Sequence, residues 1–179
     1  MGKMFIRLAQ KTDLNSIRKL IETAFSDEEN KTISNLAADL SEETATPPIE
    51  SLVAEMDNQV IGYVSYSPIF LHSASGFSGY ILSPLAVSAK HQKQGVGSQL
   101  IKSGLDRLNK NGAGVLLVYG DPQYYGRFGF NQETGRFFVP PYPLEHPFGW
   151  TGMMLNGTGL PDTPIQIACV DALSKPELW

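Results

Sequence analysis

The chain has 179 residues, 42% hydrophobic and 18% charged, which is enough apolar material for one folded domain with its own core. A net charge of -4 argues against a nucleic-acid surface, and a single cysteine, Cys169, excludes an internal disulfide. No apolar run approaches the roughly 18 residues of a membrane span, and residues 1–7 lack the apolar core of a signal peptide, so the cytoplasm is the expected compartment.

Residues 4–8 read as a strand. Thr12 or Asp13 then caps a helix whose apolar residues Ile17, Leu20, Ile21, Ala24 and Phe25 recur at helical spacing. A second helix is expected over 30–40, on Ile33, Leu36, Ala37 and Leu40, and a break over 44–48. Strands at 51–55 and 59–70 meet through Asp57-Asn58, a tight-turn pair. Residues 73–78 are a small-residue loop. Residues 80–87 form a strand interrupted by Ser83-Pro84, where the proline removes a ladder donor and suggests a bulge or splay. A helix over 97–108 turns Leu100, Ile101, Leu105 and Leu108 inward, and 115–119 is a buried strand. Alternating strands and helices imply an α/β layered domain. Residues 136–164 are rich in proline, glycine and aromatics and read as a loop-rich extension. A last strand at 165–170 buries Cys169 as a packing residue rather than a catalytic one.

The segment Gln92, Lys93, Gln94, Gly95, Val96, Gly97, Ser98 follows the apolar run Leu85, Ala86, Val87 and opens the helix, so it reads strand, glycine loop, helix start. Glycines let backbone N–H groups approach an anion, and a helix start points its unpaired N–H groups and positive dipole end at the same spot. Lys90, His91 and Lys93 add local positive charge. Together they suggest a phosphate-bearing ligand. The spacing is neither a Walker loop nor Gly-x-Gly-x-x-Gly.

The loop, with its preceding Leu-x-Val strand, resembles the coenzyme A pyrophosphate loop of the GNAT N-acetyltransferases. Tyr124-Tyr125-Gly126-Arg127-Phe128-Gly129-Phe130 looks like the late signature of that family, and Phe5-Ile6-Arg7-Leu8-Ala9 with Asp13 and Ile17 like its first strand and helix. The resemblance covers residues 4–130 and is closest to the bacterial YhbS-like branch. It implies a mixed, mostly antiparallel sheet flanked by helices, with the fourth and fifth strands splayed. Residues 1–179 are expected to form one domain, with 136–179 as a C-terminal extension completing the sheet. The implied activity is acetyl transfer from acetyl-CoA to a small-molecule or peptide amine in a ternary complex. No metal is implied, and a homodimer is compatible.

The resemblance assigns the Leu85 N–H to the acyl carbonyl and the Val87 N–H to the pantetheine arm, with Ala86 between them. Gln94, Gly95, Val96, Gly97 and Ser98 would hold the pyrophosphate, with Gln92 fixing the loop. Tyr125, four residues before Gly129, matches the general-acid tyrosine. Tyr124 is expected to be a wall aromatic and Arg127 a solvated or carboxylate-paired side chain. Some relatives carry a glutamate base on the fourth strand, where this chain has Ile81. Asp121 reads as a helix start, His72 as a loop-edge residue, His91 as a basic loop residue, and His146 is uninformative. The segment 137–150 is expected to line the acceptor cleft. Two other readings stay open: a non-catalytic acyl-CoA binding or sensing module, and a structural protein whose glycine loop binds nothing.

Overall fold

A computed structural model describes residues 2–72 and 77–179; the core of the expected loop at 73–78 lies outside them. Among the described residues the strands are β1 (Phe5–Leu8), β2 (Glu50–Met56), β3 (Gln59–Leu71), β4 (Gly79–Val87), β5 (Val115–Tyr119), β6 (Phe138–Val139), β7 (Trp150–Met154) and β8 (Ile165–Cys169). The helices are α1 (Leu14–Ala24), α2 (Asp27–Glu42), α3 (Val96–Lys110), α4 (Pro122–Gly126) and α5 (Gln132–Arg136). β4 with β5, and β6 with β8, pair parallel; the other registered pairs are antiparallel. This is the mixed, mostly antiparallel α/β architecture the sequence implies. The chain forms two compact units: Met1–Thr44, Ile49–Tyr66 and Pro84–Arg107 in the first, and Ala45–Pro48, Ser67–Ser83 and Leu108–Trp179 in the second.

In the first unit, β2 and β3 are joined by Asp57 and Asn58 at φ 50° and 61°, the paired left-handed geometry of a two-residue hairpin. β1 lies against β2, from Phe5 opposite Glu55 to Leu8 opposite Leu52. Ile17, Leu20 and Ile21 of α1 and Ala37 of α2 pack on Val53, Tyr63 and Ala86. α2 begins at Asp27, three residues before the expected start. Ser26 caps it, its hydroxyl accepting from the Glu29 N–H at 3.4 Å and donating to the Glu29 carboxylate at 3.0 Å.

Asp13 does not cap α1 through its side chain. Arg7 donates to both of its carboxylate oxygens at 2.8 Å, and the Gln10 N–H donates to it at 2.7 Å. Arg7 also donates to Glu55 at 2.8 Å, so one guanidinium ties β1 to β2 and to the turn before α1. The hydrogen bonds from Arg7 hold the Asp13 carboxyl below its ordinary value.

α3 is fastened to β3 by Tyr66, fully buried, whose hydroxyl donates to the Leu100 carbonyl at 3.0 Å. A Cβ on Gly104 would fall inside the Tyr66 ring, so glycine lets the phenol lie flat on the helix. Leu100, Ile101 and Leu108 are buried as expected; Leu105 is half-buried.

In the second unit, β4 and β5 keep parallel register from Gly79 opposite Val115 to Leu82 opposite Val118, and it ends there. Pro84 follows two residues later, at the splay expected from the sequence. β7 runs antiparallel to β5, from Val115 opposite Met154 to Tyr119 opposite Trp150, and the end of β3 pairs β8. The stretch read as a loop-rich extension thus also holds β6 and β7. α5 starts where the Asn131 side chain accepts from the Thr134 N–H at 2.8 Å.

Two outcomes follow. Gly104→Ala gains about 1 kcal/mol of helix propensity but overpacks against Tyr66 at about 1–3 kcal/mol, so thermal unfolding should show a net loss. Asp13→Asn should cost about 1–3 kcal/mol near neutral pH. Asp13 titrates below its ordinary 3.8, so its contribution is complete above that pH and fades as pH falls through its folded value. The stability gap between wild type and Asp13→Asn, read from urea unfolding at pH 7 and pH 3, should therefore narrow in acid.

Candidate active site

The residues singled out by sequence divide between the two units. In the first, Leu85, Ala86 and Val87 lie on the part of β4 that has no register partner in β5. Ala86 is buried against α1 and α2, while Leu85 and Val87 are half-buried. The turn after β4 begins where the Ser88 N–H donates to Ile61 at 2.9 Å and the His91 N–H to Ser88 at 2.8 Å. Gln92 then reaches back to the Val87 carbonyl at 3.2 Å, and Gln94 to the Lys90 carbonyl at 2.9 Å. Both glutamine side chains are spent fixing the loop, which is the role expected of Gln92.

Lys93 and Gly95 adopt φ 60° and 83°. At Gly95 the positive φ favours glycine, and the space a Cβ would enter is open. The first helical bond of α3 runs from the Gln99 N–H to the Gly95 carbonyl at 3.0 Å. The N–H groups of Val96, Gly97 and Ser98 precede it, so they are the unpaired donors of a fifteen-residue helix. Lys90, Lys93 and His91 stand on the same turn, and His91 Nδ1 is buried without a partner among the described residues. Donors, dipole and side-chain charge thus meet at one turn, an arrangement suited to an anion.

In the second unit, β5 ends at Tyr119, and Asp121 caps α4 by accepting from the Gln123 N–H at 2.9 Å, with Pro122 in the first turn. Asp121 is thus the helix start read from sequence, and its carboxylate is occupied. Tyr125 projects from α4 over Gly120, edge-on to Tyr124 at 5.0 Å and Phe130 at 5.6 Å. Burial, then the neighbouring Tyr124 and Asp121, pushes its phenol above the ordinary 10, so it stays protonated. Among the described residues nothing hydrogen-bonds its hydroxyl.

Arg127 is not carboxylate-paired. Its guanidinium lies 4.9 Å from the Tyr124 ring and 5.4 Å from Phe128, a surface cation–π stack. Ile81 is buried at the β4 position where some relatives carry a base, and His72 is exposed. The His146 N–H donates to the Tyr119 hydroxyl at 2.9 Å. Cys169 is buried, its thiol pushed up to about 12 by burial, in keeping with packing.

Sequence reading did not single out two features. Tyr63 shares hydroxyl contacts with Ser51 and Ser65, and burial pushes it up to about 12. The second feature is Arg136, in the wall of a cavity of about 550 Å³ around the 137–150 segment that the sequence reading expected to line an acceptor cleft. The Tyr63-x-Ser65 alternation on β3, with Ser51 opposite Ser65 on β2, was a usable signal for the first. The second needed β6 and β7, which the proline content obscured.

Residues 5–132 match the family model described as Acetyltransferase (GNAT) domain. The chain is 31% identical over 169 residues to the uncharacterized N-acetyltransferase YjhQ of Escherichia coli, covering 92% of this chain and 91% of that protein. It is 34% identical over 128 residues to the uncharacterized N-acetyltransferase YhbS of the same species, covering 71% and 73%. The crystal structure of E. coli YhbS in complex with CoA superposes with a TM-score of 0.83 at 28% identity, over 98% of this chain and 94% of that one. A GNAT family acetyltransferase from Brucella melitensis in complex with acetyl-CoA gives 0.70 at 28% identity, over 97% and 99%. The chain belongs to the GNAT family of acetyltransferases and is an acyltransferase of its YhbS-like branch.

Proposed function

We propose that the chain transfers an acetyl group from acetyl-CoA to a primary amine by direct attack in a ternary complex. The observation that carries this reading is the turn at 92–98: left-handed Lys93 and Gly95 aim the free N–H groups of α3 at one point, beside basic side chains. Relatives crystallised with CoA and acetyl-CoA supply the ligand that such a turn suits.

In this mechanism the pyrophosphate sits on the N–H groups of residues 94–98. The neutral amine attacks the thioester carbonyl carbon, a C–N bond forms, and the carbonyl pair moves onto oxygen. The Leu85 N–H, outside the β4–β5 ladder, donates to that oxyanion. Collapse breaks the C–S bond, and the departing thiolate takes the Tyr125 proton; the surplus amine proton leaves through water and restores the phenol. A phenol above 10 is a weak acid toward a thiol of ordinary pKa about 8.5. The same apolar surroundings raise the thiolate's proton affinity too, so the two come closer to matched.

The proposal treats residues 1–179 as one working domain in the cytoplasm, with 136–179 supplying β6, β7 and β8. The family match in 5–132 includes residues of both units, which supports the single-domain part.

Gly95→Val places a β-branched residue at φ 83° and a Cβ in the space left for the ligand. Calorimetry should show coenzyme A binding weakened at least tenfold; unaltered affinity would remove the site. Tyr125→Phe keeps the packing and deletes the proton. The single-turnover rate should fall by about 10² to 10⁴, with the coenzyme dissociation constant nearly constant and Tyr124→Phe close to wild type. Coenzyme binding without thiol release across an amine library would instead favour the sensing module.

A further inference from the structure

The cavity in the second unit is a groove open to solvent, with the exposed Arg136 and Val139 in its wall. Its volume, about 550 Å³, lies within the ordinary range for small-ligand pockets. Its walls are apolar, with Val139, Pro140, Leu144 and Pro147 on the sides and Trp150 inside. The framework is pinned. Trp150 Nε1–H donates to both the Gly135 carbonyl at 3.0 Å and the Phe138 carbonyl at 2.7 Å. The Gln166 side chain donates to the carbonyls of Val139 at 3.2 Å and Pro140 at 3.1 Å. Prolines and a doubly bonded indole give a wall that loses little freedom when a ligand enters.

One charged residue, Arg136, lines this apolar cavity. Among the described residues no carboxylate lies within ion-pair distance of its guanidinium. A guanidinium fork with no acid partner is suited to a bidentate carboxylate. The rim leads toward Tyr125: the lining residue Trp150 follows Gly149, whose carbonyl accepts from the Gly120 N–H at 3.0 Å, and the Tyr125 ring lies over Gly120.

We infer that this cavity holds the acceptor, and that the acceptor is a small amine combining an apolar body with a carboxylate: a free α-amino acid with a large apolar side chain, or a dipeptide ending in one. The carboxylate pairs with Arg136, the apolar group fills the proline-walled space, and the amine is left at the rim. This inference rests on the transferase reading for the amine's fate, but not for the binding itself. The chain's net negative charge alone points toward cationic acceptors; the local chemistry of the cavity opposes that.

The test uses the full chain and four probes: phenylalanine, glycyl-phenylalanine, phenylalaninamide and spermidine. Binding is read by saturation-transfer NMR and calorimetry without coenzyme, and turnover by thiol release. At least one of the two carboxylate probes should bind roughly ten- to hundredfold more tightly than phenylalaninamide, and the stronger of the two distinguishes amino acid from dipeptide. Arg136→Gln should erase that discrimination. Val139→Trp, at a partly exposed position of the wall, should fill the space and weaken every apolar probe. Coenzyme A affinity should be unchanged in both variants, which also reports that they fold. Equal binding of acid and amide, discrimination that survives Arg136→Gln, or turnover of spermidine alone overturns the inference while leaving the transferase reading intact. Failure of wild type to bind coenzyme A sinks that reading instead, and the NMR preference for apolar carboxylates still decides what the cavity takes.

Discussion

A proline cannot donate to a β-ladder, and two strands of this protein turn that restriction into architecture. β4 holds register with β5 through Leu82 and then meets Pro84. β3 pairs with β2 as far as Tyr66, passes Pro68, and pairs with β8 from Ile69. β3 changes partner at its proline and β4 leaves the β5 ladder before its own, and neither strand ends there. The backbone beyond Leu82 is therefore extended but outside the β5 ladder, which is the condition that lets a main-chain N–H serve a ligand rather than a neighbouring strand.

The anion-binding turn depends on a second, quieter constraint. A helix start is useful only if the helix stays in place. α3 is held from below by the Tyr66 hydroxyl on the Leu100 carbonyl, which needs the bare backbone of Gly104. The loop above it is held by Gln92 and Gln94, whose amides are tied to main-chain carbonyls. The side chains of the turn thus act on the loop, which leaves the backbone N–H groups at the helix start for the proposed ligand. That division explains why glycine positions and helix register carry more of the site's specification than any single functional group.

The legible parts of the sequence were those where a local rule decides. Asp57-Asn58 demanded a left-handed turn, Asp121-Pro122 a helix start, and Gly95 with Gly97 a loop entering a helix. The misread parts had several claims on one residue. Asp13 looked like a cap, but Arg7, distant in the first strand, takes both of its oxygens. α2 began early because Ser26 caps it through the Glu29 N–H, a signal that the apolar spacing, counted from Ile33, did not reach. β7 stayed hidden because Trp150-Thr151-Gly152-Met153-Met154 sits in a proline- and glycine-rich stretch that reads as loop; its place comes from pairing with β5. Arg136 became visible only once β6 and β7 had folded the prolines around it.

The indole of Trp150, hydrogen-bonded twice to main-chain carbonyls, has an optical consequence. The chain contains two tryptophans, and both belong to the second unit. Trp150 and Trp179 are 5.7 Å apart, and Trp179 stacks on Tyr119. Excited near 295 nm, the protein would emit from this one cluster. Its intrinsic fluorescence is therefore a local gauge of the cavity wall. Melting of the Arg7 network or of α1 and α2 would pass without direct change in that signal, whereas circular dichroism would register it. A mismatch between the two transitions would report the units coming apart separately.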